Sequence, residues 1–217
     1  MLPEKQKHWL SLKSSQDRLV FFCDAIFAIA ITLLILQIDV PAIVYETEVD
    51  DVLIELWPRF ASFAISFFVI ARFWIVHLNL FAHVRRLDMR LITITLIFMG
   101  LIVFLPFTTD FYGAHSDNKN VLALYVLSIV ATSIMSHIAW RYVLRKPDML
   151  LADQDTKEMR RHSWRGLLIS LEFVLALLIV FINPVLEPWY WLVFAVIVAI
   201  VFIGTRLTEK SQSLPES

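Results

Sequence analysis

Six apolar runs restrict this fold more tightly than any other feature of the chain, near residues 19–38, 57–82, 91–109, 121–144, 165–183 and 188–207. About 20 apolar residues in a helix cross the hydrocarbon core of a bilayer. Lipid offers no other way to satisfy the backbone of a single segment, so each run reads as a transmembrane helix. The 217 residues are 59% hydrophobic and 18% charged, with a mean hydropathy of +0.70. Such a composition excludes an ordinary water-soluble enzyme. The reading is an all-α integral membrane protein of six transmembrane helices, with an N-terminal segment 1–18, a membrane domain 19–207 and a tail 208–217. No small-residue cleavage site follows the first run, so it is read as an uncleaved helix rather than a signal peptide. The sole cysteine, Cys23, can form neither an intrachain bridge nor a multi-cysteine metal site.

Charge placement orients the spans. The segments before the first span, at 83–90, at 141–165 and after 205 hold 16 of the 19 Lys and Arg residues. By the positive-inside rule these face the cytoplasm, which puts both termini inside. The opposite segments hold Asp39, Glu46, Glu48, Asp50, Asp51, Glu55, Asp110, Asp117 and Glu187, with Lys119 as their loop cation. Trp57, Trp189, Tyr190 and Trp191 at outer ends, and Trp140, Tyr142 and Trp164 at inner ends, fit interfacial aromatic belts.

Ionisable residues within spans are costly and mark either a functional site or an obligatory partner. Here they are Asp24, Arg72, His77, His137 and Glu172. Asp24 and His77 fall at similar depths, and Trp74 shares a helix face with His77 three residues on. An Asp24, Trp74 and His77 network would relieve the desolvation of the carboxylate. Arg72 and Glu172 form a second candidate pair, and His137 reads as interfacial. For each of these groups an interhelical polar contact stands beside a proton-relay or transport role.

On the first span a 100° helical wheel places Ile29, Thr32, Leu33 and Leu36 on one stripe, with Asp24 about 140° from Ile29. Periodicity alone does not separate a pore-facing stripe from packing or lipid contact. The string Arg18-Leu19-Val20-Phe21-Phe22-Cys23-Asp24 resembles the R-x-x-x-F-S-D signature of the transmembrane protein 175 family, the lysosomal potassium channel of animals and its prokaryotic relatives. Arg18, Phe22 and Asp24 match, and Cys23 stands in place of the usual serine. Trp74 and His77 are similar to the family's tryptophan and histidine on the second helix. Leu105-Pro106-Phe107-Thr108-Thr109 is similar to the Pro-Phe segment that ends its third helix.

The resemblance implies a weakly selective potassium channel in a prokaryotic plasma membrane, a homotetramer in which the first helices of four subunits line the pore. It places the constriction at Ile29 and further pore-facing positions at Thr32, Leu33 and Leu36. It assigns Arg18, Phe22 and Asp24, with Trp74 and His77, to holding the pore helix against its neighbours. The implied partners are other copies of the chain, the bilayer, and K⁺ with other monovalent cations, and no cofactor or resident metal is expected. No carbonyl-filter string of the T-V-G-Y-G type occurs, so the expected gate is a dewetting aliphatic ring at Ile29 and Leu33.

The rival reading is a proton-coupled or ion-coupled secondary transporter using Asp24, His77 or Glu172. Four glycines in the whole chain and the lack of broken half-helices count against it. No H-E-x-x-H, G-x-S-x-G or G-x-x-x-x-G-K-[ST] string supports an enzyme.

Overall fold

A computed structural model describes residues 4–39 and 49–151, and these are helical throughout apart from short connections. Four long helices follow one another: α1 (Glu4–Leu36), α2 (Val49–His83), α3 (Met89–Ala114) and α4 (Lys119–Leu144), with a single 3₁₀ turn at Pro147–Met149. All four are long and apolar enough to cross a membrane. The two further spans expected at 165–183 and 188–207, and with them Glu172, lie outside the described residues.

The helices outrun the apolar stretches that signal them. α1 already starts at Glu4, and α2 starts at Val49 with Asp50 and Asp51 in its first turn, where acids complement the helix dipole. The third helix was expected to end at Thr109 after Pro106; it continues to Ala114 with Pro106 buried inside it. A proline is tolerated within a packed membrane helix because neighbouring groups reorganise around the lost donor. Just beyond it, the hydroxyls of Thr108 and Thr109 turn back onto the Leu105 carbonyl, at 3.0 and 2.8 Å.

Capping sets the starts of α3 and α4. Asp88 accepts a hydrogen bond from the Leu91 amide at 2.8 Å, and Asn118 accepts one from the Asn120 amide at 2.9 Å, each satisfying an otherwise unpaired donor of the first turn. The connections between α2 and α3 and between α3 and α4 span only a few residues, which makes those neighbours antiparallel. α1 packs against both α2 and α3, and α4 packs chiefly against α3.

The larger core joins Cys23, Phe27, Ala30 and Leu34 of α1 to Ile70, Phe98, Ile102, Tyr125 and Ile129 of the other helices. Through it runs a chain of buried hydroxyls. Thr109 donates to Ser66 at 2.8 Å, Ser66 pairs with the Tyr125 hydroxyl at 2.8 Å, and Thr108 pairs with Ser128 at 3.0 Å. Hydrogen bonds of this kind tie membrane helices together at about 0.6 kcal/mol each. A smaller core, built from Leu80, Val84, Leu91, Trp140, Val143, Met149 and Leu150, closes the end of the bundle where α2 and α4 stop.

Candidate functional site

α1 has two faces of similar hydrophobicity and opposite burial. Cys23, Phe27, Ala30 and Leu34, spaced by three or four residues, are sealed against α2 and α3. On the opposite side Ile29 is 59% exposed, Leu33 40% and Leu36 73%, and Thr32 is exposed among them. All four residues of the expected stripe therefore lie on the side of α1 that the other described helices leave uncovered. Arg18 and Phe22 lie on that side too, both exposed. The exposed face runs as one strip from the signature to the end of the helix.

Thr32 is the hydroxyl within that stripe. Its Oγ1 donates to the Ile29 carbonyl of the preceding turn at 2.9 Å. With the proton committed to the backbone, the oxygen presents lone pairs and no donor to its surroundings.

Asp24 sits at the boundary between the two faces, half-buried. Its Oδ1 accepts a hydrogen bond from the Trp74 indole nitrogen at 2.9 Å, which anchors α1 to α2 across the helix interface. Hydrogen bonds to a charged acceptor contribute about 1.5–3 kcal/mol. His77 takes no part in that bond. It is 4% exposed, caged by the rings of Phe27, Phe81 and Phe98 at centroid distances of 5.7, 4.6 and 5.9 Å, and its Nε2 has no hydrogen-bond partner among the described residues. The anticipated three-residue network is thus one hydrogen bond with an aromatic-caged imidazole beside it. Arg72 and His137 are each half-buried.

A polar cluster that the sequence reading missed lies at the end of the bundle bearing the α2–α3 turn. Asp88 accepts hydrogen bonds from the Tyr142 hydroxyl and, at 2.8 Å, from Lys146 Nζ, while Lys146 also sits 4.7 Å from the centre of the Tyr142 ring. Burial works against the Asp88 carboxylate, but the bonds from Lys146, Tyr142 and the Leu91 amide outweigh it and hold its pKa down to about 2. The same contact with Asp88, and then that with Tyr142, raises Lys146. Nearby, Gln16 of α1 donates to the carbonyls of Val84 and Phe81 at 2.9 and 3.3 Å. The Asp88-x-x-Leu91 start of α3 was a capping signal available in the sequence; the partners of that cap were not.

Known proteins resemble this chain in sequence and in fold. The family model described as endosomal/lysosomal potassium channel TMEM175 matches residues 18–106, a stretch that contains the signature string, Trp74 and His77. A protein named as a potassium channel in Streptomyces collinus is 29% identical over 174 residues, covering 78% of this chain and 84% of its own. One from Chamaesiphon minutus is 30% identical over 152 residues, covering 68% and 75%. The crystal structure of a lysosomal potassium-selective channel TMEM175 homolog from Chamaesiphon minutus matches with a TM-score of 0.71 at 26% identity, over 86% of this chain and 97% of the other.

Proposed function

Because the chain belongs to the TMEM175 family, we propose that it is a potassium channel whose water-filled path runs along the exposed face of α1. The observation that carries this reading is the pairing of a sealed face, Cys23, Phe27, Ala30 and Leu34, with an uncovered one, Ile29, Thr32, Leu33 and Leu36, on the same helix. Four copies arranged about an axis would turn the uncovered faces toward one another. Each chain then contributes six membrane helices, of which α1–α4 are the first four. Arg18 and Phe22, exposed on the same side, would meet the neighbouring copy, while Asp24 and Trp74 fix α1 to its own bundle.

A ring of Ile29 side chains supplies no ligands, so a permeating ion keeps its water or loses it at a cost that is greater for Na⁺ than for the more weakly hydrated K⁺. Weak selectivity follows. An apolar constriction also closes by dewetting, which makes Ile29 and Leu33 the gate in this reading. Thr32 offers an oxygen acceptor one turn away. The charge asymmetry supports a cytoplasmic position, in a prokaryotic cell, for the ends bearing Arg85, Arg86, Arg90 and Arg141. The carrier reading loses support, since Asp24 is engaged by Trp74 and His77 is caged by aromatic rings rather than set along a polar path.

The test is ion flux and reversal potential in proteoliposomes with K⁺ inside and Na⁺ outside, with wild type beside Ile29→Asn. Wild type is expected to pass an electrodiffusive current that favours K⁺ modestly, and the variant to carry a larger, less selective one. Flux that saturates, requires a proton gradient and ignores the substitution would overturn the proposal.

A further inference from the structure

At the end of the bundle where α2 and α4 stop and α3 begins, Arg85, Arg86, Arg90, Arg141 and Arg145 stand exposed. They come from two distant stretches that the fold binds together. The Arg85 amide donates to the Met149 carbonyl at 2.7 Å and the Leu151 amide to the His83 carbonyl at 3.1 Å, while Val84 and Leu150 form an isolated antiparallel bridge. The Lys146–Asp88 ion pair, at 2.8 Å, joins the same two stretches. The arginines of both groups therefore belong to one backbone-tied surface.

The carboxylate that caps α3 between Arg86 and Arg90, Asp88, is already engaged by Lys146 and Tyr142. That leaves Asp17 and Asp148 as the exposed acids of this end within residues 15–39 and 49–151. Each of the five arginines lies within three residues of a helix end, the level at which a membrane helix meets the headgroups. The guanidinium fork matches phosphate oxygens bidentately. Beside Arg90, Met89 is 75% exposed, so the surface pairs a group of cations with an apolar flank. That combination fits an amphiphile better than a soluble polyanion. The positive-inside rule needs only a number of cations and does not call for their gathering on a surface braced by hydrogen bonds.

We propose that this end of the bundle binds the phosphate of an anionic phospholipid, with Arg86, Arg90 and Arg145 as donors and Met89 against the acyl chains. Gln16 links the same end of the bundle to α1 through the carbonyls of Val84 and Phe81. The binding itself does not depend on what α1 conducts.

The experiment uses the purified full chain in neutral detergent, with phosphatidylglycerol or phosphatidylcholine of the same acyl chains added. Retained lipid is counted by native mass spectrometry and the melting temperature is followed in parallel. Phosphatidylglycerol is expected to be retained roughly tenfold better than phosphatidylcholine and to raise the melting temperature, since each basic residue at the surface adds to the attraction for anionic lipid. Arg86→Gln with Arg90→Gln and Arg145→Gln should remove that preference, and Arg59→Gln with Lys119→Gln, toward the opposite end, should keep it. The single change Arg90→Gln, expected to reduce the preference in part, serves if the triple variant does not fold. A preference that survives in the triple or single variant, or that falls equally in the control, overturns the proposal. Stabilisation by inorganic phosphate equal to that by phosphatidylglycerol also overturns it, because the ligand would then be an anion rather than a lipid.

Discussion

Along α1, Phe27, Ala30 and Leu34 are sealed by α2 and α3, whereas Ile29, Leu33 and Leu36, one or two positions away and just as apolar, face away from the bundle. Chemistry does not distinguish the two faces, so their difference lies in what covers each. The sealed face is satisfied within one chain by ring contacts such as Phe27 on Phe98 at 6.2 Å. The open face contains Thr32, whose hydroxyl serves its own backbone and leaves an acceptor oxygen turned outward. A hydroxyl satisfied in this way is accommodated against lipid as well as against water, so Thr32 alone does not separate a pore face from a lipid face.

The largest effect expected from this contrast concerns stability. Phe27→Ala should destabilise the protein by about 3–5 kcal/mol, the usual cost of emptying a buried aromatic site, and thermal melting in detergent reads it directly. Leu33→Ala, on the open face, should leave the melting temperature close to that of wild type. Equal losses at the two positions would erase the distinction between the faces.

A middle-sized effect sits at the boundary of the faces. Trp74→Phe removes the indole donor to Asp24 while keeping an aromatic ring. It should weaken the seat of α1 on α2 by about 2 kcal/mol, as expected for a bond to a charged acceptor. Asp24→Ala should lower assembly yield or open probability more than it alters ion preference. A changed K⁺ to Na⁺ ratio with normal yield would move Asp24 into the permeation path and blur the boundary.

The smallest effect lies off α1 altogether, at Asp88, and so measures what a polar site on neither face contributes. Its carboxyl is depressed to about 2, below the ordinary value of about 3.9. A depressed carboxyl contributes stability that is present above the unfolded pKa and is lost as pH falls through the folded one. Lys146, shifted upward, contributes below its unfolded pKa and loses that contribution only in strongly alkaline solution. The melting difference between wild type and Asp88→Asn should therefore be small and constant from about pH 5 to 9 and shrink between about pH 4 and 2. A difference that changes near neutrality would contradict the pairing of Asp88 with Lys146.

Hydropathy located the described helices well because a membrane chain has one backbone solution per span. It misplaced their ends, since the polar first turns of α2 and the internal Pro106 carry no apolar signal. The Asp24–Trp74 bond was legible because both groups fall at one depth on helices that must be neighbours. The surroundings of His77 were not, because an imidazole in hydrocarbon can be accommodated by a carboxylate or by rings, and the rings come from three helices. Tyr142 and Asp88 are 54 residues apart, and only the docking of the α4 end onto the α2–α3 turn brings them together. The open face of α1 was the hardest to read, as periodicity gives one aliphatic stripe and does not separate a pore from packing or lipid contact; the resemblance carried by Arg18 to Asp24 is what points that stripe to a pore.

The most direct measurement replaces residues on both faces of α1 by cysteine, one at a time, in a Cys23→Ala background, and follows K⁺ flux while a water-soluble thiol reagent is applied. Cysteine at Ile29, Thr32 or Leu36 should be modified and the flux altered, and cysteine at Ala30 or Leu34 should not react. Modification at Ala30 and Leu34 with protection at Ile29 and Leu36 would contradict the assignment of the pore to the open face.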